Sequence, residues 1–409
     1  MVIDTVIVGA GIAGLTVAIG LARRGTEVVL LERYPAYGGR IVTHRSNKSD
    51  GVPALQYEIG AGRIHQNHAR VNSLVERYGL TKYPINTDSV FHDKPNRFLD
   101  MMDALRGLYE TQSRRALGTT TIGALVPDDL HALFIQYPYW AEIFMMRADV
   151  AFDLFKPDGP MGSRDTAGPD FYGLKEGLDA LIYGRVKDAH EAGVDLRNRH
   201  RVHDVKRLGN DLFEIVGDYG KKAEAKPFKI QARRVIIATC RCSLGGFSVL
   251  KGTPMLKQTG TSPLTRIYAV YPKPVWFKGL GKVVTDTRLR YVIPIDESKG
   301  LIMISYTDGE DTKYWKDMNE TKLKKAIAAE VKRTFPDVAI PEPTYLQKHE
   351  WPSGCTYWLP GTYDVKDAIA EAMNPGQNLY VVGESISLQQ TWVEGALESA
   401  EILLRKLSK

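Results

Sequence analysis

The sequence predicts an α/β protein in which one domain is assembled from stretches that lie far apart in the chain. Three segments support this prediction, near the start, the middle and the end of the 409 residues. Each contains a short run of apolar, mostly β-branched residues, which is typical of a strand buried on both faces. The first run continues into a helix and a second strand, and the last is followed by a terminal helix. The three runs are residues 6–8, 234–239 and 379–382.

The composition is that of an ordinary globular protein. Hydrophobic residues make up 44% of the chain and charged residues 25%, which argues against a disordered chain, a collagen or a coiled coil. The net charge of +6 is not concentrated in any run of Lys or Arg, so it indicates neither nucleic acid nor an anionic membrane as a partner. The length favours two domains, or one large domain with an insertion.

Targeting, membrane and metal signals are absent from the sequence. Met1 leads directly into an apolar strand, and no stretch reaches the ~18 uninterrupted apolar residues that a membrane span needs. Cys240, Cys242 and Cys355 form neither a disulfide framework nor a zinc-site spacing. We therefore expect a soluble, cytoplasmic protein with reduced thiols, no metal and no membrane span. The sequence leaves a homodimer open.

The first segment is a complete strand–turn–helix–strand unit. Its first strand leads into a glycine-rich turn, residues 15–24 have the apolar spacing of a helix, and a second strand at 27–31 ends at Glu32. The turn has the pattern G-x-G-x-x-G, which in this Rossmann-like context is a fingerprint of dinucleotide binding. We therefore predict a dinucleotide site at this turn.

Each residue of the fingerprint has a physical role. Gly9 permits the tight turn, Gly11 lets a pyrophosphate approach the backbone, and Gly14 lets the helix pack closely on the strand. The N–H groups at the helix start, around Ala13, and the helix dipole would hold the anion. Glu32 would accept hydrogen bonds from ribose hydroxyls and repel a 2′-phosphate, so the residues favour FAD or NAD over an NADP-type ligand.

The residues that follow carry a more specific signal. After Glu32 come Arg33 and then Gly38-Gly39-Arg40, and this E-R-x-x-x-x-G-G-R pattern resembles the flavin-containing amine oxidase family of monoamine, polyamine and L-amino-acid oxidases. The resemblance implies FAD as the cofactor, with Arg40 against its pyrophosphate. Such a charge-assisted contact makes chemical sense because a helix dipole supplies only about half a charge.

Later stretches resemble the same family in the expected order. Residues 57–63 resemble the glycine-bearing segment beside the isoalloxazine ring, and 235–239 resemble a family strand whose following proline is replaced here by Cys240. Residues 382–399 resemble the closing flavin signature. The resemblance implies further FAD contacts from Arg33, Gly39, Gly60, Ala61, Gly62, Arg63, Val202, Gly383, Glu384, Thr391, Trp392 and Val393.

The predicted architecture is a Rossmann-like FAD-binding domain of discontinuous segments with an inserted, mixed substrate-binding domain. We assign residues 1–70, 190–260 and 350–409 to the FAD-binding domain. Residues 71–189 and 261–349 then form the substrate-binding domain.

The resemblance also implies a reaction. Members of the family transfer a hydride from the carbon that bears nitrogen to flavin N5, which gives an imine that hydrolyses to an aldehyde or oxo acid. O2 then reoxidises the flavin and gives hydrogen peroxide. The small-molecule substrate is then a monoamine, a polyamine or, more specifically, an L-amino acid. A flavin desaturase or isomerase of the same fold is the alternative enzyme. A binding module similar to Rab GDP-dissociation inhibitors is the non-enzymatic alternative.

Aromatic residues are the expected walls of the substrate site. Trp392 occupies the position of an aromatic cage residue in monoamine oxidases and of a tryptophan in L-amino-acid oxidases, or it packs in the core. A second wall is expected from Tyr357 or Trp358, in the segment before the last FAD strand.

Three other side chains have two interpretations each. Arg63 resembles the arginine that binds the substrate carboxylate in L-amino-acid oxidases, or one that supports the flavin. Arg266 stands where many members have a lysine that is bonded through water to flavin N5, and it would hold a water or pair with a substrate carboxylate. Cys355 is either a covalent flavin link, as in monoamine oxidases, or a small buried thiol.

Overall fold

The computed structural model describes residues 2–49, 51–86, 89–91, 106–128, 142–155, 170–209 and 211–408. Strands and helices are mixed along the chain, so the predicted α/β class is confirmed. The strands are β1 (Val2–Val8), β2 (Val28–Leu31), β3 (Thr43–Ser46), β4 (Leu55–Glu58), β5 (Ile64–His65), β6 (Lys82–Ile85), β7 (Ser89–Phe91), β8 (Phe171–Leu174), β9 (Asp195–Arg197), β10 (His200–Gly209), β11 (Leu212–Tyr219), β12 (Lys226–Ile237), β13 (Thr259–Val270), β14 (Lys282–Val284), β15 (Tyr291–Asp296), β16 (Leu301–Asp308), β17 (Tyr345–Trp358) and β18 (Leu379–Val381).

Helices connect and cover these strands. Residues 106–111 are also helical. The α-helices with described bounds are α1 (Ile12–Ala22), α2 (Ala69–Arg77), α3 (Arg114–Gly118), α4 (Ile122–Leu125), α5 (Glu142–Met145), α6 (Ala148–Phe155), α7 (Ala180–Glu191), α8 (Arg241–Leu244), α9 (Met255–Gln258), α10 (Thr312–Trp315), α11 (Glu320–Thr334), α12 (Val365–Met373) and α13 (Val393–Lys406). Single 3₁₀ turns occur at Lys222–Glu224, Ser248–Leu250, Glu297–Lys299, Gly309–Asp311 and Glu384–Ile386.

The largest sheet joins the three segments that the sequence singled out. Its order is β10-β11-β12-β1-β2-β9, and β18 pairs with β12 outside this path. β1 runs parallel to β2 and β12, and β12 runs parallel to β18. Because parallel strands end at the same edge, the carboxyl ends of these four strands converge, and such an edge is where open α/β sheets bind ligands.

The first and last helices, α1 and α13, pack against each other beside this sheet. α1 and α13 approach so closely that a side-chain carbon at Gly20 would lie 2.6 Å from the Leu404 side chain. The first strand is buried on both faces, with Val6 and Ile7 fully inaccessible, as its unbroken apolar run predicts. The terminal helix is therefore tied to the first helix, and its N-terminus is held near the glycine-rich turn.

A second sheet has the order β17-β13-β16-β15-β14-β7. A hydrophobic core on this sheet includes the apolar face of α11, which is formed by Leu323, Ile327 and Val331. The predicted domain boundary at residue 350 falls inside β17, which pairs with β13 from Tyr345 to Trp358. The division of the chain into domains remains a prediction. Smaller sheets pair β3 with β4, and β5 and β6 with β8.

Among the described residues, no helix combines the length and the apolar character needed to cross a bilayer.

Candidate active site

The carboxyl edge of the large sheet opens on a cavity of about 2350 Å³. The cavity reaches from this edge to the second sheet, because Val8 and Leu31 line it together with Tyr306 and Met303. Every predicted cofactor contact except Gly14 lines it. Residues from the head, middle and tail of the chain therefore converge on one space.

The glycine-rich turn has the geometry that a dinucleotide needs. Gly9 has φ +106°, and a side-chain carbon there would lie 2.7 Å from the Ala238 carbonyl oxygen. The same carbon at Gly14 would lie 2.1 Å from the Gly9 oxygen, whereas at Gly11 it would meet no heavy atom within 4 Å. Gly11 caps α1, and no side chain among the described residues bonds the helix N-terminus. The first N–H groups of the helix can therefore bind an anion in the cavity.

Glu32 closes the neighbouring strand and faces the same space. Its carboxylate accepts hydrogen bonds from the N–H groups of Ala10 and Tyr34, both at 2.9 Å. Burial raises its pKa, and these N–H bonds oppose the shift. The two backbone donors fix the orientation of the carboxylate, and its remaining lone pairs can accept from ribose hydroxyls.

An ion pair links the first segment to the last. Arg40 Nη2 lies 2.7 Å from Glu384 Oε1, and Arg40 Nη1 donates to the Gly354 oxygen at 3.0 Å. Glu384 also accepts from the Thr356 hydroxyl at 2.8 Å and from the Thr391 N–H at 2.9 Å. The Arg40 side chain is 28% exposed and lines the cavity, so part of its guanidinium remains available to an anion. These residues fit the pyrophosphate of FAD.

Arg266 fixes the backbone that passes Arg40. Its Nη1 donates to the carbonyl oxygens of Glu58 at 3.1 Å and Gly60 at 2.6 Å. Gly60 packs closely against the backbone at Arg40, because a side-chain carbon at Gly60 would lie 2.0 Å from the Arg40 carbonyl oxygen. Both bonds are made by Nη1, and the two predicted roles of Arg266, holding a water or pairing with a substrate carboxylate, remain predictions. The proximity of these carbonyls depends on tertiary packing and has no local signal in the sequence.

We predict that Arg266→Met lowers the free energy of unfolding by about 1–3 kcal/mol, because a carbonyl group loses its donor. The loss falls mainly on the Gly60 oxygen, since the Tyr268 hydroxyl also donates to Glu58, at 2.6 Å. Urea denaturation measures the effect, with the exposed Arg333→Met as the control. An Arg266→Met protein as stable as the control would show that these bonds do not hold the segment.

Arg63 lies against two aromatic rings in the cavity. Its guanidinium carbon is 4.6 Å from the ring centre of Phe171 and 5.5 Å from that of Trp392. The two rings lie 6.0 Å apart and are inclined at 29°. Among the described residues, no carboxylate forms an ion pair with Arg63 and no acceptor forms a hydrogen bond with it. Arg63 thus has a stacked, oriented guanidinium whose hydrogen-bonding edge can receive a ligand.

A second cation lies near Arg63. Lys282, on β14, lines the cavity, and burial together with Arg63 lowers its pKa to about 7. Burial, His65 and Arg63 lower the pKa of His68 to about 3, so that this ring is neutral. Burial raises the pKa of Glu58 to about 7. The sequence analysis missed Phe171, Lys282 and Glu58 as site residues, because only tertiary packing brings them to Arg63 and Arg266.

The structure puts the predicted second aromatic wall elsewhere. Tyr357 and Trp358 are fully buried and do not line the cavity. Trp358 Nε1 donates to the Ser387 oxygen at 2.9 Å, and both rings pack with Ile143 and Leu154. β17 carries Cys355 along the cavity and then continues into this core. In the described part of the chain, no cluster of three His, Cys, Asp or Glu could hold a metal ion.

The chain is similar in sequence to known flavin-dependent enzymes. The family model for flavin-containing amine oxidoreductases matches residues 12–130 and 132–402. A flavin-dependent L-tryptophan oxidase of Lentzea aerocolonigenes is 24% identical, over 98% of this chain and 97% of that protein. An L-amino acid oxidase of Cerastes cerastes is 41% identical over 75 residues, which are 18% of this chain and 14% of that protein.

Solved structures confirm the predicted fold. Cyclohexylamine oxidase from Brevibacterium oxydans superposes with a TM-score of 0.71 at 18% identity, covering 100% of both chains. Wild-type putrescine oxidase bound to putrescine gives a TM-score of 0.73 at 17% identity, over 100% of this chain and 99% of that one.

Proposed function

This chain belongs to the flavin-containing amine oxidoreductase family, and from that premise we propose that it is an FAD-dependent oxidase of L-α-amino acids with large apolar or aromatic side chains. Bound FAD supplies a two-electron acceptor for the hydride on the carbon that carries nitrogen, and we propose O2 as the final acceptor, giving hydrogen peroxide. The imine product then hydrolyses in water to an oxo acid and ammonia.

Arg63 carries the proposal. Its planar guanidinium matches a carboxylate with two parallel hydrogen bonds. The Phe171 and Trp392 rings cover it on the cavity wall, and no carboxylate of the described residues neutralises it. A substrate carboxylate supplies the missing counter-charge, and the fixed guanidinium orients the α-carbon and its amine.

The surrounding charge favours an amino acid over a diamine. Arg63, Arg266 and Lys282 all line the cavity, and the pKa of Lys282 is already lowered by burial and by Arg63. A protonated amine near these groups is disfavoured in the same way, so the substrate amine is held neutral with its lone pair available. A diamine or polyamine has a second positive charge and no carboxylate to offset it.

The aromatic rings favour a large apolar side chain. Phe171 and Trp392 present π-faces in the cavity, and such rings bind apolar and aromatic groups well. One relative that aligns over nearly the whole chain is an L-tryptophan oxidase, which supports an aromatic amino acid as substrate.

Matched substrate pairs test the proposal. We expect kcat/KM for L-tryptophan and L-phenylalanine to exceed that for tryptamine and phenethylamine by about 100-fold or more, because a site built for a polar group discriminates strongly against analogues that lack it. A peroxide-coupled assay measures this, with the D-amino acids, benzylamine and putrescine as comparisons. Equal turnover of tryptamine and L-tryptophan would overturn the proposal in favour of a monoamine oxidase. A yellow protein that is silent with every compound would favour a desaturase or isomerase.

A further inference from the structure

All three cysteines of the chain line the cofactor cavity. Cys240 and Cys242 follow the carboxyl end of β12, and Cys355 lies on β17. None of the three forms a disulfide. The chain has no cysteine outside this cavity. The proposed cofactor site gives no role to Cys240 or Cys242.

The first two thiols form a pair at the start of a short helix. Cys240 is the residue before α8, and Cys242 is in its first turn. The two sulfurs share one hydroxyl partner: Ser243 Oγ lies 3.5 Å from Cys240 Sγ and 3.9 Å from Cys242 Sγ. Cys242 is exposed and Cys240 is partly buried. Both sulfurs therefore lie near one hydroxyl, and both residues line the cavity.

The surroundings distinguish the two thiols. The neighbouring Cys242 thiol, the Ser243 hydroxyl and the positive charge of Arg40 lower the pKa of Cys240, against the opposing effect of burial. The Cys240 thiol and burial together raise the pKa of Cys242. Cys240 is therefore the more acidic thiol of the pair and Cys242 the less acidic one, which suits a nucleophile beside a resolving group.

We propose that Cys240 and Cys242 form a peroxide-oxidisable dithiol on the wall of the cofactor cavity. The Cys240 thiolate attacks one peroxide oxygen, the O–O bond breaks, and Cys240 becomes a sulfenic acid as hydroxide leaves and takes a proton to form water. The Cys242 sulfur, on losing its proton, then attacks the sulfenic sulfur, and a disulfide and a second water form. In total, two thiols are oxidised and one hydrogen peroxide is reduced to two waters.

The position of the pair couples it to cofactor binding. Cys240 follows Ala238 and Thr239, which touch the glycine-rich turn at Gly9, and it is close enough to Arg40 for the two charges to interact. A dinucleotide bound at the glycine-rich turn and at Arg40 would cover the part of the cavity wall that contains Cys240. We therefore expect bound FAD to slow oxidation of the pair. The proposal is independent of the proposed oxidase activity, because the peroxide in its test is added.

The experiment treats the full chain with hydrogen peroxide, with FAD bound and after its removal, and then caps remaining thiols with N-ethylmaleimide. Peptide mass spectrometry should show the loss of two hydrogens on the peptide that contains residues 240 and 242, reversed by dithiothreitol. The FAD-free chain should react about tenfold faster at Cys240 than at Cys355, because at neutral pH an ordinary thiol is mostly protonated.

Three variants make the assignment specific. Cys355→Ser, the matched control from the same cavity, should leave the disulfide and its rate unchanged. Cys242→Ser should stop the reaction at a Cys240 sulfenic acid that dimedone traps, with a rate that now rises with pH, whereas Cys240→Ser should react slowly. Oxidation of Cys355 at the same rate as Cys240, or a disulfide that includes Cys355, would overturn the pairing. Equal rates with and without FAD would overturn the assignment to the cofactor wall.

Discussion

Arg63→Ala should reduce kcat/KM for L-tryptophan by about 300-fold while changing that for tryptamine by less than about threefold, because only the first substrate has a carboxylate for the guanidinium. A loss of this size corresponds to about 3–4 kcal/mol of transition-state stabilisation. The magnitude is that expected when a charged side chain that makes two hydrogen bonds to the substrate is removed from a partly buried site. Steady-state kinetics on the two compounds measures it.

Two controls separate carboxylate binding from the alternative role of Arg63, which is support of the flavin. Arg63→Lys keeps the charge but loses the planar fork, so it should be intermediate between wild type and Arg63→Ala. The flavin absorbance of purified Arg63→Ala should match that of the exposed-surface control Arg333→Ala. Equal losses on L-tryptophan and tryptamine, accompanied by loss of bound flavin, would contradict the substrate role and favour flavin support.

Local patterns account for the part of the site that was predictable from the sequence. Gly9, Gly11 and Gly14 lie within six residues of one another, and their spacing alone indicates a turn into a helix with room for an anion. Glu32 is found in the same way, because it ends the next buried strand. In the structure Gly9 and Gly14 have no room for a side chain, whereas Gly11 faces open space.

The rest of the site depends on contacts between distant residues. Arg40 and Glu384 are 344 positions apart, and only the family resemblance connected them. Lys282 reaches the cavity from β14 of the second sheet. No local motif around Lys282 in the sequence predicts this position. Trp358 shows the reverse error: its place in the segment before the last FAD strand indicated the cavity, whereas β17 carries it into a separate core.

Arg40→Ala should weaken FAD binding by about 100- to 1000-fold, because it removes a cation from the anion site and leaves Glu384 without its ionic partner. The Glu384 side chain is only 7% exposed, so its uncompensated carboxylate would also repel the pyrophosphate. Gel filtration followed by the absorbance ratio of flavin to protein measures the retained cofactor. Arg45→Ala is the matched control, because Arg45 forms a similar pair with Asp179 at 2.6 Å without lining the cavity.

The double variant Arg40→Ala/Glu384→Gln distinguishes the two contributions. If the unpaired carboxylate causes most of the loss, neutralising it should restore thermal stability and part of the affinity relative to Arg40→Ala alone. If the direct contact of Arg40 with the pyrophosphate dominates, stability should recover but the affinity should not. Retention of full FAD by Arg40→Ala would contradict both explanations, and it would mean that the glycine-rich turn and the N-terminus of α1 hold the pyrophosphate without this side chain.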